Sequence, residues 1–154
     1  ERDWRSKVAL SAELSLIYPP HCSFKAQAYL DLDTFAGRTL LSKLRANDLA
    51  LEAAGYNTNK PGTCPCCGHG YETRQHFLLH CRSLQQVRDQ YPTLPGLQPR
   101  DQRDNEVERI RHLLLCYPIS PSLLSARAQV LGTFLTHIWR ERGLIIDVYR
   151  PFYP

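Results

Sequence analysis

The stretch Thr63-Cys64-Pro65-Cys66-Cys67-Gly68, followed by Glu72-Thr73-Arg74-Gln75-His76-Phe77-Leu78-Leu79-His80-Cys81, sets how the rest of the chain is read. Taken as ligands, Cys64, Cys67, His76 and Cys81 have the spacing C-x2-C-x8-H-x4-C. Two cysteines spaced in this way can curl into a knuckle whose backbone amides point at the sulfurs. Gly68, just after the second cysteine, lets the chain turn with positive φ. His76 falls in the first turn of a helix that Thr73 can cap, and Cys81 follows about a turn and a half later. Such donors close a tetrahedron around Zn2+, with Zn–S of about 2.3 Å and Zn–N of about 2.0–2.1 Å. All four positions are protein ligands, so the pattern implies one structural zinc and no open position for catalysis. Cys66 can stand in for Cys64 or Cys67, and His80 or His69 for His76, but the C-x2-C spacing favours the first set.

The loop also needs a metal. Between Tyr56 and Arg74 there is almost no large apolar side chain to bury. Metal binding to a site absent from the unfolded chain contributes directly to folding, by about 10–16 kcal/mol in small zinc peptides. Six cysteines are present, and four of them lie between Cys64 and Cys81 beside histidines, which favours metal over a disulfide framework. Cys22 and Cys116 have no neighbouring ligands and read as buried, inert thiols.

On either side of this stretch the pattern is helical. Asp3 to Ile17 reads as a helix that Tyr18-Pro19-Pro20 ends, with a loop to Asp33. Thr34 can cap a helix through Phe35, Leu40, Leu41 and Leu44. Asn47 or Asp48 looks like a second cap, opening a short helix through Leu49, Leu51 and Ala54 that Gly55 closes. The helix capped at Thr73 is expected to run to about Tyr91. Pro92, Pro95 and Pro99 then mark a Pro-rich linker over 92–103. Asp104 or Asn105 can cap the next helix, with Glu108 placed for a capping box and Val107, Ile110, Leu114 and Tyr117 on one face. Ser120-Pro121 opens the last helix, striped by Leu124, Ala128, Leu131, Leu135, Ile138 and Trp139, with Gly143 as its stop. Leu144 to Val148 reads as a short strand or an extended tail. The fold class is therefore mostly α: a helical domain with a central zinc knuckle and a C-terminal helical pair. Its parts are 1–33, the end of a preceding domain; 34–91, helix plus knuckle; 92–103, linker; and 104–154, helical pair and tail.

Composition narrows the function classes. The chain has 154 residues, 43% apolar and 22% charged, which is ordinary globular usage. No run of eighteen apolar residues exists to span a membrane, and the charged N-terminus lacks the core of a signal peptide. There is no methionine, so the chain reads as a piece of something longer. Net charge is +4; residues 74–154 carry eleven basic and seven acidic side chains, while residues 1–73 carry eight of each. Arg outnumbers Lys by 15 to 4, and Arg gives planar, bidentate phosphate contacts. Arg74, Arg82 and Arg88 flank the second ligand pair, and Lys43 and Arg45 lie on the preceding helix. These five are the candidate nucleic-acid contacts, expected to meet phosphates with steep salt dependence and little sequence preference. The bland alternative is a solvated basic face paired with Glu72 and Asp89.

The residues Thr39-Leu40-Leu41-Ser42-Lys43-Leu44-Arg45, then Cys64-Pro65-x-Cys67-Gly68 and Glu72-Thr73-x-x-His76-Phe77-Leu78-Leu79-x-Cys81, resemble a known family. They look like the zinc-binding region that follows the reverse transcriptase of non-LTR, LINE-type retrotransposons. The resemblance covers about residues 35–90. It departs after Arg45, where the family often continues Thr-Gly-His and this chain has Ala46-Asn47-Asp48. It implies an accessory module of a polyprotein that binds RNA or target DNA during target-primed reverse transcription. It also implies an intracellular, nuclear setting, partnered by nucleic acid and the rest of the polyprotein, with no membrane and no small-molecule substrate.

The fragment itself reads as no enzyme. Tyr29-Leu30-Asp31-Leu32-Asp33 only faintly echoes a polymerase metal motif, because its two Asp are not adjacent. His21, His112 and His137 lack partners at triad-like spacing. The competing expectation is a zinc-stabilised helical scaffold that docks on the polymerase or a host factor without touching nucleic acid.

Overall fold

Helix α1, Phe35–Ala46, forms where Gly37, Leu40, Leu41 and Leu44 recur at helical spacing, and these four are its buried stripe. The computed structural model describes residues 35–46, 48–51, 62–98, 105–115 and 121–149. The expected helix at 3–17, the 1–33 and Thr34 boundaries, and Cys22 and Cys116 lie outside these residues. α1 closes with the Asp48 amide bonded to the Lys43 carbonyl at 2.8 Å. Residues 48–51 are not helical, so the second short helix does not begin at Leu49. The Leu51 amide instead closes a tight turn on the Leu49 carbonyl at 2.7 Å, and both leucines are buried. The rest of that expected helix, through Ala54 and Gly55, lies outside the described residues.

Thr73 caps the knuckle's helix as expected, its Oγ1 accepting from the His76 amide at 3.1 Å. The expected single helix to Tyr91 does not form. After one α-turn the chain loosens into a π-helical segment, His76–His80, closed by the Cys81 amide on the His76 carbonyl at 2.8 Å. Cys81 then leaves helical geometry at φ −58° and ψ 114°. A 3₁₀ turn, Arg82–Leu84, and helix α2, Gln85–Asp89, follow. The wide turn inserts a residue and re-aims Cys81, as π-turns commonly do at functional sites.

Tyr91 to Leu97 forms successive turns, with the Leu94 amide on the Tyr91 carbonyl and the Leu97 amide on the Leu94 carbonyl. Leu94 and Leu97 are buried in the common core. Gly96 has φ 97°, and a Cβ there would stand 2.4 Å from the Arg109 carbonyl, so only glycine fits. Helix α3, Glu106–Leu113, is capped by Asn105, whose side chain accepts from the Glu108 amide at 2.9 Å. Glu108 does not return the favour; its carboxylate pairs with Arg111 at 2.8 Å. α3 stops at Leu113, short of Tyr117, with Val107 exposed and Ile110, Leu113 and Leu114 buried.

Helix α4 runs Pro121–Tyr149, beginning at the expected proline but passing through Gly143 to Tyr149. Leu144 to Val148 is therefore helical rather than strand or tail. Ile145 and Ile146 pack against the core beyond the glycine, and that burial outweighs the roughly 1 kcal/mol a glycine costs inside a helix. Ala128, Leu131, Leu135 and Ile138 form the buried stripe, joined by Phe134. α1 and α2 both pack along α4, which is the spine of the molecule. The fold is mostly helical, without strands among the described residues, and ends in the pair α3 and α4. None of its helices is long and apolar enough to cross a membrane, among the described residues.

Candidate metal centre

The knuckle is built by short-range backbone bonds. The Gly68 amide reaches the Cys64 carbonyl, and the Cys64 amide reaches the Gly70 carbonyl, both at 2.9 Å. Gly68 takes φ 67°, the left-handed turn expected of it. An isolated antiparallel bridge, Thr63 with Tyr71, ties the base of the loop. The knuckle presents Cys64 and Cys67, and the capped turn and π-helical segment present His76 and Cys81.

The ligand atoms of Cys64, Cys67, His76 and Cys81 all lie within 4.8 Å of one another. Cys64 and Cys81 sulfurs are 3.8 Å apart, and the Cys67 sulfur is 3.3 Å from His76 Nε2. A tetrahedron with metal–sulfur bonds of about 2.3 Å has sulfur–sulfur edges of about 3.8 Å, the separation of the Cys64–Cys81 pair, so the four could hold one metal ion. The histidine is His76. His69 turns back to the Cys67 carbonyl, and His80 pairs with Glu106 at 3.1 Å on the outer surface.

Charge favours a cation here. Hydrogen bonds from Cys66 and then Cys81 hold the Cys64 thiol well below its ordinary range, with further help from the Cys67 and Cys66 backbone. The bond to Cys64 pushes Cys66 up, and pushes Cys81 up to about 12. One thiolate thus raises its neighbours, and a divalent ion relieves that conflict by holding deprotonated sulfurs around itself. Three thiolates and a divalent ion leave one negative charge. The buried Arg88 guanidinium stands beside Cys81 and donates to its carbonyl. Burial lowers the Arg88 pKa, and the charge of Cys81 works against that fall.

The five basic candidates divide. Arg45, Arg74 and Arg88 are buried. Arg74 donates to the Leu44 carbonyl at 2.8 Å, capping the end of α1. Arg45 donates to the Leu114 carbonyl at 2.6 Å, at the end of α3. Each places a cation where a helix ends in free carbonyls. Lys43 and Arg82 are exposed.

Two partners in this region carry no local sequence signal. Glu72 is 1% exposed and held by Arg142 of α4, with Nε to Oε1 at 2.6 Å and the second guanidinium nitrogen to Oε2 at 2.7 Å. Arg142 also stacks over Trp139, 4.9 Å from the ring centre, and Trp139 meets Phe77 edge-on at 6.0 Å. Cys66 is buried with its sulfur 4.0 Å from the Arg142 carbonyl. Of the other histidines, His137 faces the Tyr91 hydroxyl at 3.2 Å, and His112 is half-buried on α3. No protein-family model matches the chain, and no curated protein or solved structure is significantly similar to it.

Proposed function

We propose that the chain is a zinc-stabilised helical scaffold, an accessory module of a larger polyprotein of the retrotransposon reverse-transcriptase type, without catalysis of its own. One observation carries the scaffold reading. The four-donor set is closed, and the arginines around it, Arg45, Arg74 and Arg88, are spent on backbone carbonyls inside the fold. Zinc is the ion of choice, because three thiolates and one imidazole in a tetrahedron suit it and leave no open coordination position. Membership in the retrotransposon family rests on the Glu72-Thr73-x-x-His76-Phe77-Leu78-Leu79-x-Cys81 resemblance alone. Phe35, Tyr71, Leu123 and Leu144 present apolar surface outward for docking to the rest of the polyprotein.

A second reading keeps nucleic-acid contact. It is supported by the exposed Lys43 and Arg82, which a metal-fixed frame would hold in place. Elemental mass spectrometry on the purified chain tests the centre: one zinc per chain supports it, and a folded metal-free chain overturns it. Fluorescence anisotropy with single-stranded RNA separates the two readings. A scaffold gives no affinity difference between wild type and a Lys43→Ala, Arg82→Ala double variant. Phosphate contact gives a loss in the variant and a wild-type affinity that falls steeply between about 50 and 200 mM salt.

A further inference from the structure

A cavity of about 470 Å³ lies between the amino end of α1, Tyr91 and the face of α4 that carries Thr133, Thr136, His137 and Arg140. Its size suits a small molecule, and none of the four metal-centre donors lines it. Its walls are mostly apolar, and two rings, Tyr91 and His137, stand among them. Both rings are fixed. The Tyr91 ring meets the buried Phe134 edge-on at 5.3 Å, and its hydroxyl lies 3.2 Å from His137 Nδ1. Burial raises the Tyr91 pKa, so the hydroxyl keeps its proton and donates it, which leaves the neutral imidazole's own proton on Nε2.

The polar groups here define what an occupant must bring. The Thr133 and Thr136 hydroxyls donate to the carbonyls of Gln129 and Gly132, at 3.0 and 2.8 Å. Their protons are committed, so they offer the cavity lone pairs only, and an occupant must supply N–H or O–H donors. Arg140 is the opposite case. It is exposed, its own helix places no carboxylate three or four residues away, and it makes no ion pair or hydrogen bond among the described residues. An anion answers it, and Ala36 brings the positive end of the α1 dipole to the same cavity. A plain aromatic acid has the ring and the anion but lacks the donors.

We propose that this cavity binds a nucleoside monophosphate, free or as one unit of a single strand. The base lies against the Tyr91 and His137 rings, base or sugar donors meet the two threonines, and the phosphate meets Arg140. Stacking tolerates any base, because each has a π-face, while the guanidinium grips phosphate bidentately. The site therefore distinguishes nucleotide from nucleoside rather than base from base. Neither Lys43 nor Arg82 lines it, so it is distinct from those two side chains.

The test is an NMR titration of the purified, isotope-labelled chain with adenosine 5′-monophosphate (AMP), adenosine and ribose 5-phosphate, then competition with a single-stranded rA hexamer. Saturable AMP binding at one site per chain, shifting the amides of Ala36, Thr136 and His137, is the expected result. Adenosine, without the charge-assisted contact, and ribose 5-phosphate, without the stacked ring, should each bind about tenfold more weakly. Arg140→Gln, a change at an exposed side chain, should lower AMP affinity about tenfold and leave that for adenosine unchanged. Displacement of AMP by the hexamer assigns the cavity to a strand, and failure to displace it assigns the cavity to the free nucleotide. Equal AMP affinity in wild type and Arg140→Gln, shifts confined to the surroundings of Lys43 and Arg82, or no saturable AMP binding overturns the proposal.

Discussion

The knuckle, residues 62–81, and the α1–α4 pair are held together by different physics. The knuckle exposes Gly68, His69, Gly70 and Tyr71 and carries its buried surface mainly in cysteines and the Phe77-Leu78-Leu79 run. The α1–α4 pair buries Leu40, Leu41 and Leu44 against Leu131, Phe134, Leu135 and Ile138. Full burial of one such side chain is worth about 1.5–3 kcal/mol, so the pair is held by its own apolar surface, whereas residues 62–73 bury no large apolar side chain. The two regions meet at the Glu72–Arg142 pair and at the edge-on Phe77–Trp139 contact. Arg74 adds a joint to α1, donating to the Leu44 carbonyl at 2.8 Å, and Phe77, Leu78 and Leu79 share one core with the helices.

The largest effect should come from the ligands. Cys64→Ser is expected to abolish stoichiometric metal by elemental analysis and to cost on the order of 10 kcal/mol in the knuckle. By circular dichroism the helical signal of α4 should survive better than the near-ultraviolet signal of Trp139, which touches the knuckle through Phe77. Equal loss of both would mean that the two regions fold as one cooperative unit. Next comes the joint between them. Glu72→Gln removes the carboxylate charge that holds the buried Arg142 guanidinium, and about 3–5 kcal/mol should be lost in urea unfolding. A double-mutant cycle with Arg142→Met should recover much of that, because an apolar replacement removes the buried charge.

Phe134→Ala sharpens the contrast from the scaffold side. It should cost about 3–5 kcal/mol through the cavity left in the core, while metal content stays at wild-type stoichiometry. Asn105→Ala removes the α3 cap and should lower stability by about 1 kcal/mol, read as a small fall in the urea midpoint. His80→Ala should be the mildest, under about 1 kcal/mol, because its pairing with Glu106 is largely exposed. It should also leave metal content untouched, unlike His76→Ala.

Much of the local architecture was legible without coordinates. The apolar recurrence of α1, the Thr73 and Asn105 caps and the opening of α4 at Pro121 each depend on residues within four positions of one another. The break at Cys81 was not legible. Residues 74–89 contain no proline or glycine, so nothing in their propensities interrupts the helix expected to reach Tyr91. The π-turn there carries the Cys81 sulfur to 3.8 Å from that of Cys64, a contact 17 positions apart that local propensity does not report. Gly143 misled in the opposite direction, because the packing of Ile145 and Ile146 carries α4 past a residue that commonly ends helices.

The sequence by itself picked out Cys64, Cys67, His76 and Cys81, the four donors that the structure brings within 4.8 Å of one another and that could hold a metal ion, because short spacings join them. Only the tertiary structure decided what the charged residues do. Arg45 reaches a carbonyl 69 positions away, and Glu72 meets an arginine 70 positions away. A guanidinium on a helix reads the same in sequence whether it faces water or a distant helix end. Its burial follows from the packing of α1, α3 and α4, which no local pattern encodes.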